Sequence, residues 1–325
     1  MVMPLKTIAV LTAGGDAPGM NAAIRAVVRS ALSCGLNVTG VRRGYRGLYE
    51  KDFFSMNSRH VSGIINLGGT ILKSVRFPEF QKREFRQQAA ENVRQASIDA
   101  LVVIGGDGTA RGALAFHQDS QIPVAVVPAS IDNDLGGTEL TIGFDTAVNT
   151  AVEAVDRIRD TATSHDRTFI IEVMGRHCGN LALEVGLACG AEIIIIPEQP
   201  LNYEKLFQEI TTADQQGKES VLIILAEGAA KAPEMAQIIS RQFPRKEIRY
   251  AILGYIQRGG RPTYATRVLA TKLGVAAIQT LMKGNTCHLI GWQNGQTVAV
   301  PLQAALASRV KLQTGNLDLT RLLSI

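Results

Sequence analysis

The sequence predicts a doubly wound, parallel-sheet α/β fold in two domains, on three observations. Short β-branched apolar runs recur along the chain, stretches of helical periodicity lie between them, and glycine-rich turns follow the runs. The length of 325 residues, at roughly 150 residues per domain, gives the two domains.

The runs fall at 7–11, 101–104, 124–127, 169–173, 192–196, 221–225 and 251–253. Their apolar character is continuous rather than alternating, which marks strands buried on both faces. Helices are expected over 21–34 and 141–161, the second from Ala147, Ala151, Ala154, Val155 and Ile158 at three- and four-residue steps. The 11 prolines are scattered and no Ser/Gly-rich linker occurs, so the domain boundary is argued from function, near Leu140.

Composition narrows the class. Lys plus Arg number 34 and Asp plus Glu 29, so the net charge is 34 − 29 = +5. With 46% hydrophobic and 19% charged residues, the chain is globular rather than disordered. No basic block suits nucleic acid, and the mild excess fits anionic small molecules better. Cys34, Cys178, Cys189 and Cys287 form neither CxxC pairs nor a disulfide framework, which points to a reducing compartment. The opening segment has no signal-peptide core and no run suits a membrane span, so a cytoplasmic location is expected.

In such sheets ligands bind beyond the carboxyl ends of the strands, and the informative residues stand there. After the first run, Gly14, Gly15 and Gly19 precede a helix whose first amides could meet an anion, with a plain strand-to-helix turn as the alternative. Gly105-Gly106-Asp107-Gly108-Thr109 follows the second run, and its carboxylate between glycines suits Mg²⁺ beside nucleotide phosphates, or a helix cap. Ser130, Asp132 and Asp134 follow the third. Two carboxylates in one loop can divide the roles of general base and supporting group; an Asx turn is the bland reading.

In the second half, Met174-Gly175-Arg176, Glu227-Gly228 and Gly254-Tyr255-Ile256-Gln257-Arg258 follow strands, while Arg167 and Arg249 stand just before strands. Any one arginine reads as a solvated charge. Together with Glu227, the four read as a sugar-phosphate pocket, the arginines taking phosphate oxygens and the carboxylate accepting from sugar hydroxyls. The five histidines show no metal-ligand spacing.

Taken together, TAGGDAPGMNAAIR, GGT with SVRFPEF, VVIGGDGT, SIDND with TIGFDTA, RDTATSHDR, EVMGRHCGNLAL and LGYIQRGG resemble the bacterial type of the ATP-dependent 6-phosphofructokinase family, in family order over nearly the whole chain. The resemblance implies two Rossmann-like domains with the active site between them and a homotetramer. It implies an ATP-binding domain of residues 1–140 with a returning segment near 256–305, and a fructose 6-phosphate domain of 141–255 with 306–325. It implies that Gly15 offers an amide to the transferring phosphoryl group and that Arg76 neutralises the phosphates. Phe77, Gly106, Gly108 and Thr109 would line the ATP site, and Asp107 would bind Mg²⁺. Asp132 would act as base toward the sugar 1-hydroxyl, with Ser130, Ile131 and Asp134 beside it. Met174, Gly175, Arg176, Glu227, Tyr255 and Arg258 would hold the sugar phosphate, and Arg167 and Arg249 would reach it from a neighbouring subunit.

Arg25, Arg29, Arg159, Glu192 and Lys218 match effector positions for ADP or phosphoenolpyruvate, although Gln216 replaces a usual lysine. Two further departures are Ser130 for threonine and Tyr255 for histidine; tyrosine cannot carry the positive charge. A pyrophosphate-dependent relative would carry an acidic residue at Gly108 and a lysine at Ala129, so the small residues here favour ATP. An NAD or lipid kinase would share only GGDGT, and a silent sugar-phosphate sensor would not need Gly15, Arg76, Asp107 and Asp132 together.

Overall fold

The structure, a computed structural model, describes residues 5–163, 167–218 and 220–308, together with 312, 317, 319, 322 and 323. β1 (Thr7–Thr12) leads into α1 (Met20–Ser33), β2 (Asn37–Val41), α2 (Gly44–Glu50) and β3 (Phe53–Met56). After a 3₁₀ turn at Pro78–Gln81 come α3 (Arg83–Gln95), β4 (Ala100–Gly105), α4 (Asp107–Ser120), β5 (Val124–Ser130) and the short β6 (Ile142–Gly143). α5 (Phe144–Thr163), β7 (Arg167–Val173), α6 (Asn180–Ala188), β8 (Ile193–Ile195), α7 (Tyr203–Gln215), β9 (Val221–Ala226), α8 (Ala232–Gln242) and β10 (Glu247–Ile252) follow. A second 3₁₀ turn, Gly254–Gln257, precedes α9 (Tyr264–Met282), β11 (Cys287–Gln293), β12 (Gln296–Pro301) and α10 (Leu302–Ala307).

The chain divides into two compact units: Met1–Ser130 with Asp134–Thr146 and Arg258–Val310, and Ile131–Asn133 with Ala147–Gln257 and Lys311–Ile325. The first change of unit thus brackets the Asp132 loop, and the next falls at Thr146, beyond Leu140.

The first unit holds a sheet in the order β12-β11-β5-β4-β1-β2-β3, with β6 paired to β5. Its central strands are parallel and wholly apolar inside: Ile8, Val10, Leu101, Val103 and Val126 have no exposed surface. The parallel expectation fails at the margins, where β2–β3 and β11–β12 pair antiparallel. β3 buries only Met56 and β12 buries no residue, so these marginal hairpins lack the covered apolar runs of the central strands. The β11–β12 hairpin turns through Asn294-Gly295 alone, with φ of 49° and 76°. Positive φ at both central residues is the twist-matched two-residue turn.

Connections from β1 and β4 leave in opposite directions along the sheet, toward β2 and β5 respectively. Such a divergence opens a crevice beyond the strand ends.

The second unit's sheet is parallel throughout, in the order β10-β7-β9-β8. Here the connections from β7 and β9 run in opposite directions across the sheet, toward β8 and β10, and cross. Its core joins Ile170, Ile223 and Leu225 to Leu206 and Ile210 of α7 and Met235 and Ile239 of α8. Some boundaries differ from expectation. Residues 142–143 form β6 rather than the first turn of α5, and the strands expected to follow Arg167 and Arg249 start earlier, β7 at Arg167 and β10 at Glu247, which places both arginines inside strands.

Candidate active site

In the first unit, the turns after β1 and β4 are tied together. Thr109 Oγ1, in the first turn of α4, donates to the Ala13 carbonyl at 2.9 Å. A Cβ on Gly105 would stand 2.5 Å from that same oxygen, so the approach requires glycine. Gly14 takes the left-handed conformation, φ 84°, and its carbonyl accepts from Ser74 Oγ at 2.6 Å. Arg258 Nη1 donates to the Asp16 carbonyl at 3.2 Å and would lie 2.7 Å from a Cβ on Gly15. The structure therefore brings the Arg258 guanidinium against the first glycine turn.

Gly106 is the residue before α4 and has no side-chain cap; Asp107 occupies the first helical position. Its carboxylate takes Arg111 Nε at 2.8 Å instead of capping the helix, and both partners are substantially exposed. A Cβ on Gly108 would meet nothing within 4 Å, so there is open space beside the carboxylate. A hard cation that keeps several waters and shares phosphate oxygens needs only one or two carboxylates, and Asp107 fits that requirement. Among the described residues, no cluster of three His, Cys, Asp or Glu could form a self-sufficient metal cage. Arg76 is exposed, and Phe77 is half-buried against Tyr49 and Phe85, with ring centroids 5.7 Å away in each case.

At the end of β5, the Ser130 carbonyl accepts from Thr141 Oγ1 at 2.6 Å, while its hydroxyl lies 3.5 Å from Asp134 Oδ1. Asp134 thus turns toward Ser130.

In the second unit, Asp132 is 4% exposed, and Arg176 Nε stands 3.7 Å from its Oδ2. Ile131 is fully buried beside it, and the Asn133 carbonyl accepts from Asn180 Nδ2 at 2.9 Å. Arg176 itself has φ 53°, in the left-handed region, after Gly175 at φ 139°. Glu227 Oε1 accepts from the backbone amides of Gly175 and Arg176, at 3.3 and 2.9 Å. One oxygen of the residue read as a sugar ligand is therefore engaged with the arginine's turn. Met174 is half-buried, and Tyr255 is 83% exposed.

Arg167 and Arg249 lie toward the amino ends of β7 and β10, away from Arg176 at the carboxyl end of β7. Both pair with Glu247, Arg167 at 2.8 Å. The Arg167 hydrogen bond, with a smaller contribution from Arg249, holds the Glu247 carboxyl below the usual range.

Elsewhere in the same unit, Lys218 Nζ lies 3.3 Å from Glu192 Oε1, and Arg159 donates to the Cys189 carbonyl. A cavity of about 140 Å³ is lined by Arg159, Glu192 and Ser220. Arg25 is half-buried and Arg29 exposed on α1.

Sequence reading missed Arg111, Ser74 and Glu247. The first was visible as an i, i+4 partner of Asp107; the other two depend on contacts between distant segments.

Residues 7–281 match the family model described as Phosphofructokinase. The chain belongs to the phosphofructokinase family. Relatives named ATP-dependent 6-phosphofructokinase include one from Thermoanaerobacter sp. (strain X514), 47% identical over 321 residues, covering 99% of this chain and 100% of the relative. Another, from Aquifex aeolicus, is 50% identical over 291 residues, covering 89% and 91%. Among solved structures, phosphofructokinase from Saccharomyces cerevisiae superposes with a TM-score of 0.86 at 37% identity, over 93% of this chain and 45% of the yeast chain. This phosphofructokinase-family chain thus spans less than half of that yeast chain. A pyrophosphate-dependent phosphofructokinase from Marinobacter aquaeolei gives a TM-score of 0.84 at 23% identity, covering 96% and 86%, a likeness of fold alone.

Proposed function

We propose that the chain is an ATP-dependent 6-phosphofructokinase that moves the γ-phosphoryl group of MgATP to the 1-hydroxyl of fructose 6-phosphate, giving fructose 1,6-bisphosphate and ADP. The observation that carries this reading is the near-full-length identity of 47% to a relative named for that activity.

Phosphoryl transfer needs positioning and charge neutralisation rather than a covalent step. Asp132 accepts the proton of the sugar 1-hydroxyl as that oxygen attacks phosphorus. Burial fixes the carboxylate's direction, and Arg176 beside it orients the acceptor. The first unit is the donor side: the Gly15 amide and Arg76 meet the transferring group, and Phe77, Gly106, Gly108 and Thr109 line the nucleotide. Asp107 would hold Mg²⁺, which when bound neutralises phosphate charge. Open space at Gly108 and the small Ala129 leave room for a nucleoside triphosphate.

The second unit is the acceptor side, with Met174, Gly175, Arg176, Glu227 and Tyr255, and Arg258 is a further ligand of the sugar phosphate. Arg167 and Arg249, set toward the other end of their sheet, complete the sugar-phosphate pocket of a neighbouring subunit in a homotetramer. Arg25, Arg29, Arg159, Glu192 and Lys218 form an effector site for ADP or phosphoenolpyruvate. The enzyme works in the cytoplasm; no helix among the described residues is long and apolar enough to cross a membrane.

A coupled assay with fructose 6-phosphate and Mg²⁺, run in parallel with ATP and with pyrophosphate, tests the reading. Turnover with ATP of about 1–100 per second is expected, and a preference for pyrophosphate overturns the donor assignment.

A further inference from the structure

We propose that Gly228 is a positioning residue for the transfer: by carrying no side chain, it lets the Glu227-Gly228 corner receive the Arg176 carbonyl and hold the Arg176 guanidinium at Asp132. The inference rests on the phosphotransferase reading above.

Arg176 stands in a conformation that a residue with a Cβ adopts at a cost of roughly 1–2 kcal/mol, so its surroundings must impose it. They do so from the neighbouring strand. Glu227 Oε1 accepts from the Gly175 and Arg176 amides, at 3.3 and 2.9 Å, while the Glu227 amide donates to the Val173 carbonyl at 2.9 Å. The Cys178 amide closes the turn on the Gly175 carbonyl at 2.9 Å. The turn after β7 is thereby moulded on the turn after β9.

Gly228 sits at the point of closest approach. A Cβ there would be 1.9 Å from the Arg176 carbonyl oxygen, 3.0 Å from its carbon and 3.4 Å from the His177 Cα. All three are backbone atoms, so no flexible side-chain tip can yield. Gly228 does not itself have positive φ. Glycine is required here by space and not by its own backbone angle. A methyl group would push the Arg176 peptide away and carry the guanidinium from Asp132, which it approaches at 3.7 Å. Gly228 touches no reacting group in this scheme and acts through Arg176.

The test is a double-mutant cycle of Gly228→Ala with Arg176→Ala, read in steady-state kinetics with folding checked by circular dichroism. A displacement near 1 Å in a catalytic group costs about 10²-fold. Gly228→Ala is therefore expected to lower kcat/KM for fructose 6-phosphate by about that factor, with KM for MgATP changed less than about twofold. In the Arg176→Ala background the same substitution should add less than about twofold, because residues acting through one another are not additive. Wild-type kinetics in Gly228→Ala, or an equal loss in both backgrounds, overturns the proposal. If Gly228→Ala does not fold, Glu227→Ala in both backgrounds reads the same coupling, and additive losses overturn it there. Absence of turnover in the unmodified chain refutes the phosphotransferase reading instead, and the cycle is then read in fructose 6-phosphate affinity with the same expected non-additivity.

Discussion

Asp132 and Arg176 lie 44 positions apart in sequence (176 − 132) and 3.7 Å apart in space. A base toward a hydroxyl needs a fixed direction and a nearby cation more than it needs an unusual residue type, and under the proposed function these two would supply both. Asp132→Ala is expected to lower kcat by at least about 10²-fold, measured in the coupled assay, with the thermal unfolding midpoint confirming that the fold persists. The carboxylate was legible in sequence because two acids follow a buried strand in an irregular loop. The left-handed conformation of Arg176 was not legible, since no residue-type rule marks an arginine for it. Nor was the engagement of Glu227 with backbone amides, which depends on β7 lying beside β9, a pairing between strands that are not consecutive in the chain.

Among the elements, the seven strands visible as continuous apolar runs are those whose neighbours cover both faces. β10 is the instructive exception. Only its end was visible, because this edge strand buries none of its residues and carries Glu247 and Arg249 beside the exposed Tyr250. The β11–β12 hairpin went unread, although the Asn294-Gly295 pair between its strands is a two-residue turn signal. A Cβ on Gly295 meets no atom within 4 Å, but its φ of 76° disfavours any side chain. Gly295→Ala should therefore cost stability through conformation alone, about 1–2 kcal/mol. Urea unfolding would show the lowered midpoint, and kcat should stay within about twofold because no proposed site residue moves.

For the whole molecule, pH tolerance follows from two thiols. Burial pushes both Cys189 and Cys287 up to about 11 from an ordinary value near 9. A raised folded-state value means that the unfolded chain loses these protons first, so stability is intact below pH 9 and declines as pH rises toward 11. Thermal midpoints between pH 8 and pH 11 should fall across that interval, and alanine at both cysteines should reduce the fall, leaving the share above pH 10 from the Tyr45 phenol, which burial also pushes up.

The order of segments in the first unit also bears on how the protein is made. β5 ends at Ser130, yet its parallel neighbour β11 begins at Cys287, after nearly all of the second unit has been translated. At about 5–20 residues per second, that interval of 287 − 130 = 157 residues lasts roughly 8–30 s. Until β11 is made, the edge of β5 along Val124–Val126 lacks its native partner, a time window in which a growing chain is open to mispairing or to a chaperone's grip.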